Sequence, residues 1–298
     1  MGYLDGLSIA VTGAGRGIGR AVAMAAAEAG ANVVVADFGV AMDGKDPDSE
    51  VANAVVEEIK GAGGSAVAVA DTVTTMEGGA RIVQTAVDSF GKIDGVVCVA
   101  GILRERMLFN MSEDEWDPVI ETHLKGTFTV FRAAAPIFRE QKSGTMISFT
   151  SGAFAGSVAQ ANYSAAKGGI VSLTRSAAVG MYKYGVTANV IAPVAKSRMS
   201  GQVPMELQMG EPEDVAPMVV WLLGPAARNV TGQIYTVNGG HIAVWDQPHE
   251  VRAMDKEGRW TVDEITARFG EVGQEKMGMI DRLEEMAKAA ASGVKPNE

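Results

Sequence analysis

Short apolar runs alternate with amphipathic stretches along most of the chain. The apolar runs predict β-strands near residues 7–12, 32–37, 65–70, 94–99, 144–150, 186–191 and 233–237. The stretches between them have helical periodicity and predict α-helices near residues 17–29, 49–61, 77–90, 113–140, 161–184 and 212–223. Such alternation is the signature of repeated βαβ units. It predicts an α/β fold, a doubly wound sheet of seven parallel strands with helices on both faces.

Two stretches depart from this alternation. Residues 38–48 form a polar insert rich in Gly, Pro and Asp after the second predicted strand. Residues 246–298 form a charged extension with a capping box at Thr261, followed by an amphipathic helical pattern. We predict a first domain over residues 1–245 and a C-terminal helical extension that serves as a surface appendage or a subunit contact. The tail after Ser292 is predicted to be disordered.

Composition and charge narrow the class of protein. With 298 residues, 47% of them apolar, the chain can bury a sizeable core. The net charge of −10 argues against a nucleic-acid partner, because phosphate binding needs an excess of Lys and Arg. The apolar runs are far shorter than the ~20 residues of a membrane span, and no cationic leader precedes them. Cys98 is the single cysteine and cannot form an internal disulfide, so we expect a reducing, cytoplasmic location.

A glycine-rich turn joins the first predicted strand to the first predicted helix. Its glycines let the backbone approach a pyrophosphate, and the N–H groups at the helix start bind the anion; they are Gly13, Gly15, Gly17 and Gly19. Asp37 follows at the end of the second strand, where a carboxylate accepts hydrogen bonds from an adenosine ribose. The spacing predicts a Rossmann-type dinucleotide site, and no metal site is predicted.

Charges near the turn bear on which dinucleotide binds. Asp37 repels a ribose 2′-phosphate, and Phe38 behind it supplies no cation. We therefore predict NAD rather than NADP as the cofactor. Arg16 is the opposing feature, because a cation inside the glycine turn can pair with an added phosphate. A solvated loop charge is the other interpretation of Arg16.

Tyr163 and Lys167 are four residues apart on a predicted helix and therefore share one face. A free tyrosine titrates near pH ~10, so it needs a neighbouring positive charge to act as a base near neutral pH. An isolated pair of this kind arises by chance on many amphipathic helices. Ser151 precedes the pair, just after the fifth predicted strand, and adds a hydroxyl group.

The TGxxxGxG turn together with YSAAK resembles the classical short-chain dehydrogenase/reductase family, over roughly residues 5–245. Weaker marks occur in the family's order: CVAG at 98–101, TSG at 150–152, IAP at 191–193 and VNGG at 237–240. The resemblance implies that Tyr163 is the general acid/base, that Lys167 lowers its pKa and binds the nicotinamide ribose, and that Ser151 binds the substrate oxygen. It also implies a set of cofactor contacts: Gly13, Gly15, Arg16, Gly17, Ile18, Gly19, Asp37, Asp71, Thr72, Ala100, Gly101, Tyr163, Lys167 and Pro193.

The position of the catalytic serine departs from the family's usual spacing. Counting forward from Gly144 selects Ser151, whereas counting back from Tyr163 selects Thr150. The residue type and the strand alternation favour Ser151. Thr150 also has a hydroxyl and stays an alternative.

Two further positions differ from the family's pattern. His123 stands where the family usually has an asparagine on the proton path past the lysine. We treat His123 as a catalytic candidate, with a buried structural histidine as the equal alternative. Val194 replaces the glycine that commonly follows the proline after the sixth strand, which raises a question about the local backbone shape.

Within the family, several segments resemble the (3R)-hydroxyacyl-CoA dehydrogenase unit of multifunctional enzyme type 2: VVEEIKGAGGSAVA, GILRERM, HLKGTF, QANYSAAK and IAPVAKSRM. The resemblance implies an NAD-dependent oxidoreductase that transfers hydride between a secondary alcohol and nicotinamide, with a 3-hydroxyacyl-CoA as the substrate. A hydroxysteroid or other bulky-alcohol dehydrogenase is the alternative. A non-catalytic dinucleotide-binding scaffold is a more distant one.

Two groups of residues bear on substrate and partners. Cations after the fourth and sixth strands can hold an anionic CoA, or are solvated loop charges: Arg104, Arg106, Lys196 and Arg198. The methionine-rich segment Met199–Met209 can cover an acyl chain or a steroid, or pack on the core as a lid. Family members commonly pair through their long helices, so a homodimer or homotetramer is expected.

Overall fold

The computed structural model describes residues 2–40, 48–196, 209–273 and 276–291. Three features predicted from the sequence lie wholly or mostly outside these residues: most of the insert at 38–48, most of Met199–Met209 with Arg198, and the tail after Ser292. The chain forms two compact units, Met1–Trp245 and Asp246–Glu298.

Eight strands of the first unit form one sheet in the order β3-β2-β1-β4-β5-β6-β7-β8. They are β1 (Ser8–Thr12), β2 (Asn32–Ala36), β3 (Ser65–Val69), β4 (Gly95–Cys98), β5 (Gly144–Phe149), β6 (Val186–Pro193), β7 (Ile234–Asn238) and β8 (His241–Val244). The first seven pair in parallel, which confirms the predicted doubly wound α/β fold. The sheet is one strand larger than predicted, because β8 pairs with β7 in the antiparallel direction.

The extra strand follows from a two-glycine turn. Asn238 pairs with His241, so Gly239 and Gly240 alone make the reversal. Gly239 has a φ of +55°, a value that glycine adopts without steric cost. Two-residue hairpins with Gly-Gly are a known turn class, and the sequence therefore contained the signal for β8.

Among the described residues of the first unit, seven α-helices cover the two faces of the sheet: α1 (Gly17–Glu28), α2 (Glu50–Gly61), α3 (Met76–Phe90), α4 (Glu113–Ile120), α5 (Gly126–Gln141), α6 (Ala161–Met181) and α7 (Pro212–Leu223). Buried residues of α1, α2 and α7 form the core on one face. Those of α3, α5 and α6 form the core on the other. The second unit contains α8 (Val262–Arg268) and α9 (Gly278–Ala291), and Thr261 caps α8 as predicted.

The single long helix predicted over 113–140 is interrupted. A π-helical turn, Glu121–Lys125, separates α4 from α5 and carries His123. Such turns inside helices are frequently found at functional sites. Within the described residues, every helix is too short or too polar to cross a membrane.

Candidate active site

The glycine-rich turn packs closely against the end of β4. At Gly13, whose φ is +63°, a Cβ would lie 2.8 Å from the backbone nitrogen of Ala100. At Gly19, a Cβ would lie 2.0 Å from the carbonyl oxygen of Gly13. The Thr12 hydroxyl accepts hydrogen bonds from the N–H groups of Val99 at 3.2 Å and Ala100 at 3.3 Å. The turn and the end of β4 therefore form one continuous floor, which only glycine allows.

Asp37 follows β2 and is held against the turn. One carboxylate oxygen accepts the N–H of Gly15 at 2.8 Å, and the other accepts the N–H of Gly39 at 2.7 Å. A Cβ at Gly15 would lie 2.9 Å from the first of these oxygens, so the approach requires glycine. The carboxylate is thereby fixed at the carboxyl end of β2.

A cleft of about 400 Å³ opens over this floor, a volume within the range of small-molecule sites. Most of the residues predicted to contact the cofactor line it: Gly13, Arg16, Gly17, Ile18, Gly19, Asp37, Asp71, Thr72, Ala100 and Gly101. The sequence did not single out other lining residues, among them Val73, Pro118, Glu121 and Thr122. A cradle of glycines with a carboxylate at its far end fits the pyrophosphate and ribose of a dinucleotide.

Asp71 lies in the wall of the cleft, after β3. Its carboxylate pairs with Arg81 of α3 and accepts the N–H of Thr72 at 2.8 Å. The hydrogen bond from Arg81 is the main reason that the pKa of Asp71 is lowered. Asp71 is therefore charged at neutral pH and has a fixed orientation.

Four of the residues predicted to contact the cofactor are not among the described residues that line the cleft: Gly15, Tyr163, Lys167 and Pro193. Pro193 ends β6 in register with Val237 of β7. The N–H of the following Val194 donates to the carbonyl of Val237 at 2.8 Å. Valine therefore continues the pairing of β6 with β7 at the position where the family commonly has glycine.

Tyr163 and Lys167 lie one turn apart on α6. The Lys167 Nζ is 5.3 Å from the centroid of the Tyr163 ring. Lys167 is buried, and its Nζ donates to the carbonyl of Phe149, the last residue of β5, at 2.7 Å. This hydrogen bond holds the lysine beside the tyrosine.

The two hydroxyl groups that follow β5 have different partners. Thr150 is buried, and its hydroxyl donates to the backbone carbonyl of Lys167 at 2.9 Å. Ser151 is partly exposed, and its Oγ accepts the N–H of Ala153 at 3.3 Å. The Ser151 side chain also acts on Tyr163, because its effect is to lower the pKa of the phenol. The structure thus brings Ser151 to Tyr163 and directs the Thr150 hydroxyl to the backbone of α6.

Burial sets the protonation states of the pair. It raises the pKa of Tyr163 to about 12, against the opposing effect of the hydrogen bond from Ser151. It also lowers the pKa of Lys167 to about 7. Both shifts disfavour the charged form, because a charge removed from water is costly. Desolvation therefore outweighs the expected effect of Lys167, and Tyr163 is a protonated phenol at neutral pH.

His123 links the cofactor cleft to the catalytic pair. Its buried ring meets the Tyr163 ring edge-on, with the centroids 5.2 Å apart. Its Nε2 lies 2.7 Å from the carbonyl oxygen of Ile102 and 3.2 Å from the nitrogen of that residue. A Cβ at Gly101 would lie 2.2 Å from the imidazole, so glycine is required there. Burial, and then the nearby Lys167, hold the pKa of His123 well below its usual range, and the imidazole is neutral.

Three of the cations considered for an anionic substrate are among the described residues, and each has a partner within the chain. Arg106 forms an ion pair with Glu115 at 2.9 Å, and Lys196 forms one with Glu211 at 2.6 Å. The Arg104 guanidinium donates to a backbone carbonyl of α4. A negatively charged group that binds here would therefore share these cations with existing partners.

The chain is similar in sequence and in fold to several known proteins. Residues 13–241 match the family profile described as enoyl-(acyl carrier protein) reductase. The chain is 39% identical over 282 residues to the hydroxyacyl-CoA dehydrogenase of Mycobacterium tuberculosis, which covers 89% of this chain and 87% of that protein. It is 44% identical over 242 residues to the peroxisomal hydratase-dehydrogenase-epimerase of Neurospora crassa, which covers 80% of this chain but only 27% of that protein. A crystal structure of a short-chain dehydrogenase from Mycobacterium avium has a TM-score of 0.82 and 46% identity, over 91% of this chain and 96% of that one.

A doubly wound parallel sheet, with a glycine-rich turn after β1 and a tyrosine and a lysine one turn apart on α6, is the arrangement of a dinucleotide-dependent oxidoreductase. The chain belongs to the short-chain dehydrogenase/reductase family. It acts on CH–OH groups and uses a nicotinamide dinucleotide as its cofactor.

Proposed function

We propose that this protein oxidises the hydroxyl group of a 3-hydroxyacyl-CoA ester to a ketone, with NAD as the cofactor. The observation that carries the chemistry is the buried Lys167 amine, which lies 5.3 Å from the centroid of the Tyr163 ring, with Ser151 acting to lower the pKa of the same phenol. The substrate class is supported by the relative named hydroxyacyl-CoA dehydrogenase, which aligns with most of the chain.

Each side chain of the trio has one task in this proposal. A nicotinamide dinucleotide, which the glycine-rich turn and Asp37 would hold in the cleft, would supply the hydride acceptor for the alcohol carbon. Tyr163, in its phenolate form, takes the hydroxyl proton and becomes the phenol, and Ser151 donates a hydrogen bond to the substrate oxygen as it becomes a carbonyl oxygen. Lys167, anchored on Phe149, stabilises the phenolate before the proton is transferred when its own amine is charged. Positioned proton transfer of this kind contributes roughly 10²–10⁴-fold to the rate.

The preference for NAD over NADP rests on Asp37. Both of its carboxylate oxygens accept backbone N–H groups, which keeps the negative charge at the end of β2. A 2′-phosphate placed there would meet this charge at close range, while the ribose hydroxyls of NAD can donate to it. Arg16 lines the same cleft and is the feature that would favour NADP.

The bulky-alcohol alternative has one supporting observation. Phe154, three residues beyond Ser151, packs edge-on against Trp245 with the ring centroids 4.6 Å apart. Both rings belong to an apolar cluster near the carboxyl end of β6. Such a surface suits a steroid as well as an acyl chain.

The test is a turnover screen of the purified protein. It compares 3-hydroxyacyl-CoA esters of several chain lengths with a set of hydroxysteroids, each with NAD and with NADP. We expect the largest kcat/KM for an acyl-CoA ester with NAD. A larger kcat/KM for a hydroxysteroid would overturn the substrate assignment, and a larger value with NADP would overturn the cofactor assignment.

Alcohol oxidation is expected to accelerate as the pH rises, because Tyr163 must be deprotonated to act as the base. Burial raises the pKa of Tyr163 to about 12, so the phenolate fraction grows about tenfold per pH unit below that value. The reverse reaction uses the protonated phenol and is expected to stay level through neutral pH. Measurements of kcat in both directions across neutral and alkaline pH check this, and a pH-independent oxidation would contradict it.

His123 is proposed to support the site without exchanging protons. Its imidazole is neutral and contacts the backbone of Ile102, next to the floor of the cleft. The pH dependence of kcat for His123→Asn is therefore expected to keep the shape seen for the unsubstituted protein. A change in the shape of the pH dependence of kcat would instead show that His123 takes part in proton transfer.

We propose a homodimer or homotetramer in which residues 1–245 hold the cofactor and catalytic sites together. Exposed apolar side chains on the second face of the sheet support association; they are Trp116 of α4, Phe128 of α5 and Val179 of α6. Light scattering measures the oligomeric state. We also propose a cytoplasmic location, which suits the free, buried Cys98. Cell fractionation would distinguish it from the peroxisome, which the name of the Neurospora crassa relative mentions.

A further inference from the structure

We propose that Asn162 is a positioning residue for Tyr163, an inference that rests on the proposed acid/base role of that tyrosine. Asn162 is the second residue of α6 and has no exposed surface. Its Oδ1 accepts the N–H of Tyr163 at 2.7 Å. Its Nδ2 donates to the carbonyl oxygens of Arg104 at 2.8 Å and Glu115 at 2.7 Å. One buried amide therefore uses both donor hydrogens and its acceptor to tie the start of the catalytic helix to two other segments.

A proline in α4 makes this part of the helix available for such contacts. Pro118 has no N–H, so the carbonyl of Asp114, four residues earlier, lacks its usual helical partner. The Arg104 guanidinium donates to that carbonyl at 2.6 Å. The next carbonyl, that of Glu115, is the one that accepts from Asn162. Of these two successive carbonyls of α4, one thus holds the loop that follows β4 and the other holds the start of α6.

Further contacts join the loop after β4 directly to the segment before α6. We call residues 104–106 together with residues 159–162 the clasp. Across it, the N–H of Arg106 donates to the carbonyl of Ala159 at 2.8 Å. The side-chain amide of Gln160 also donates to the carboxylate of Glu105. Ala159 has a φ of +59°, a left-handed conformation that costs free energy for a residue with a Cβ. Such a conformation persists only where surrounding contacts hold it, which indicates that the clasp has one defined geometry.

The clasp connects two parts of the site that must stay in register. On one side, Gly101, Ile102 and Arg104 line the cofactor cleft. On the other side, Tyr163 directly follows Asn162. A displacement of about 1 Å between reacting groups can cost roughly 10²-fold in rate. Asn162 therefore fixes the distance between the phenol oxygen and the cofactor floor without touching either reactant.

The chain offers a matched control for testing this role. Asn189 of β6 is also fully buried, and its Nδ2 donates to the carbonyl of Val230 at 2.7 Å. Its Oδ1 accepts the N–H of Gln233 at 3.1 Å, so its bonds lie before β7 and outside the site. Asn→Asp at either position keeps the shape but removes the donor hydrogens. Asn→Ser at each position is the second pair, for use if a buried carboxylate prevents folding.

We expect the Asn162 variants to lower kcat by about 10- to 100-fold, with the KM for NAD changed less than about threefold. The Asn189 variants are expected to lose similar thermal stability while keeping kcat within about twofold of the unsubstituted protein. Rates are measured well below each melting temperature, so that every variant is folded. If the Asn162 variants lose no more kcat than the Asn189 variants, Asn162 has only a structural role and the proposal is overturned.

Backbone hydrogen exchange supplies a readout that does not need turnover. Asn162→Ser is expected to speed exchange in residues 102–107 and 159–164 and to leave the central strands unchanged. Unchanged hydrogen exchange in both loops would contradict the proposal that Asn162 holds the clasp together. If the unsubstituted protein oxidised none of the substrates in the screen, the proposed function would fail, and the exchange comparison would still decide whether Asn162 holds the two loops together.

Discussion

Replacing Tyr163 with phenylalanine should abolish turnover, with kcat lowered by at least about 10³-fold. The substitution removes only the phenol oxygen, which is the proposed site of proton transfer. The ring keeps its edge-on contact with His123 and its position beside Lys167. Affinity for NAD should therefore stay within about threefold of the original value, because the cleft is formed by other residues. Steady-state kinetics and a fluorescence titration with the dinucleotide measure the two quantities.

Tyr184→Phe is the control for this experiment. Tyr184 lies in the short helical turn after α6, where its ring is flanked by Lys142 and Lys183. The same chemical change there should leave kcat unaltered. Full activity of Tyr163→Phe would remove Tyr163 from the mechanism and with it the assignment of the trio.

Removing each of the two hydroxyl groups after β5 in turn should show which one acts in catalysis and which one stabilises the fold. Ser151→Ala should lower kcat by about 10²-fold or more, because the developing carbonyl oxygen loses its hydrogen bond. Thr150→Val should instead lower the melting temperature, since it leaves the buried backbone carbonyl of Lys167 without its donor. Its kcat at a temperature where the protein is folded should fall much less than that of Ser151→Ala.

The opposite pattern would select the other hydroxyl. An inactive but fully stable Thr150→Val, with an active Ser151→Ala, would show that Thr150, at the longer spacing from Tyr163, supplies the catalytic hydroxyl. Measuring kcat and thermal unfolding on both variants distinguishes the two outcomes directly.

Most of the architecture could be predicted because its signals are local. All seven parallel strands and the helices between them followed from periodicity over windows of about ten residues. The edge strand β8 was not predicted although a Gly-Gly turn precedes it, because its four residues are too few to establish a period. The break at Glu121–Lys125 was missed for a different reason. A π-helical turn preserves the apolar pattern on either side and has no compositional signature of its own.

In the candidate site, too, the residues in local motifs could be predicted, and the residues joined by long-range contacts could not. Gly13 to Gly19, Asp37 and the Tyr163–Lys167 pair were found because each is a short motif next to a strand end or within one helical turn. Asn162 carried no such signal, since its partners Arg104 and Glu115 are roughly fifty residues away in the chain. The protonation states also required the structure, because desolvation depends on what surrounds a side chain.

The amino-acid sequence alone predicts a parallel α/β sheet, a dinucleotide-binding turn and a tyrosine–lysine pair, because each of these features depends on the spacing of residues that are close together in the chain. Only tertiary packing decided how these parts work together. In the folded protein the Thr150 hydroxyl donates to the backbone carbonyl of Lys167, so Ser151 is the hydroxyl that acts on Tyr163. It also inserted His123 between the cleft and the phenol ring. The physical reason is that β1, β4 and β5 lie side by side in the sheet, which brings residues from distant parts of the sequence into hydrogen-bonding distance.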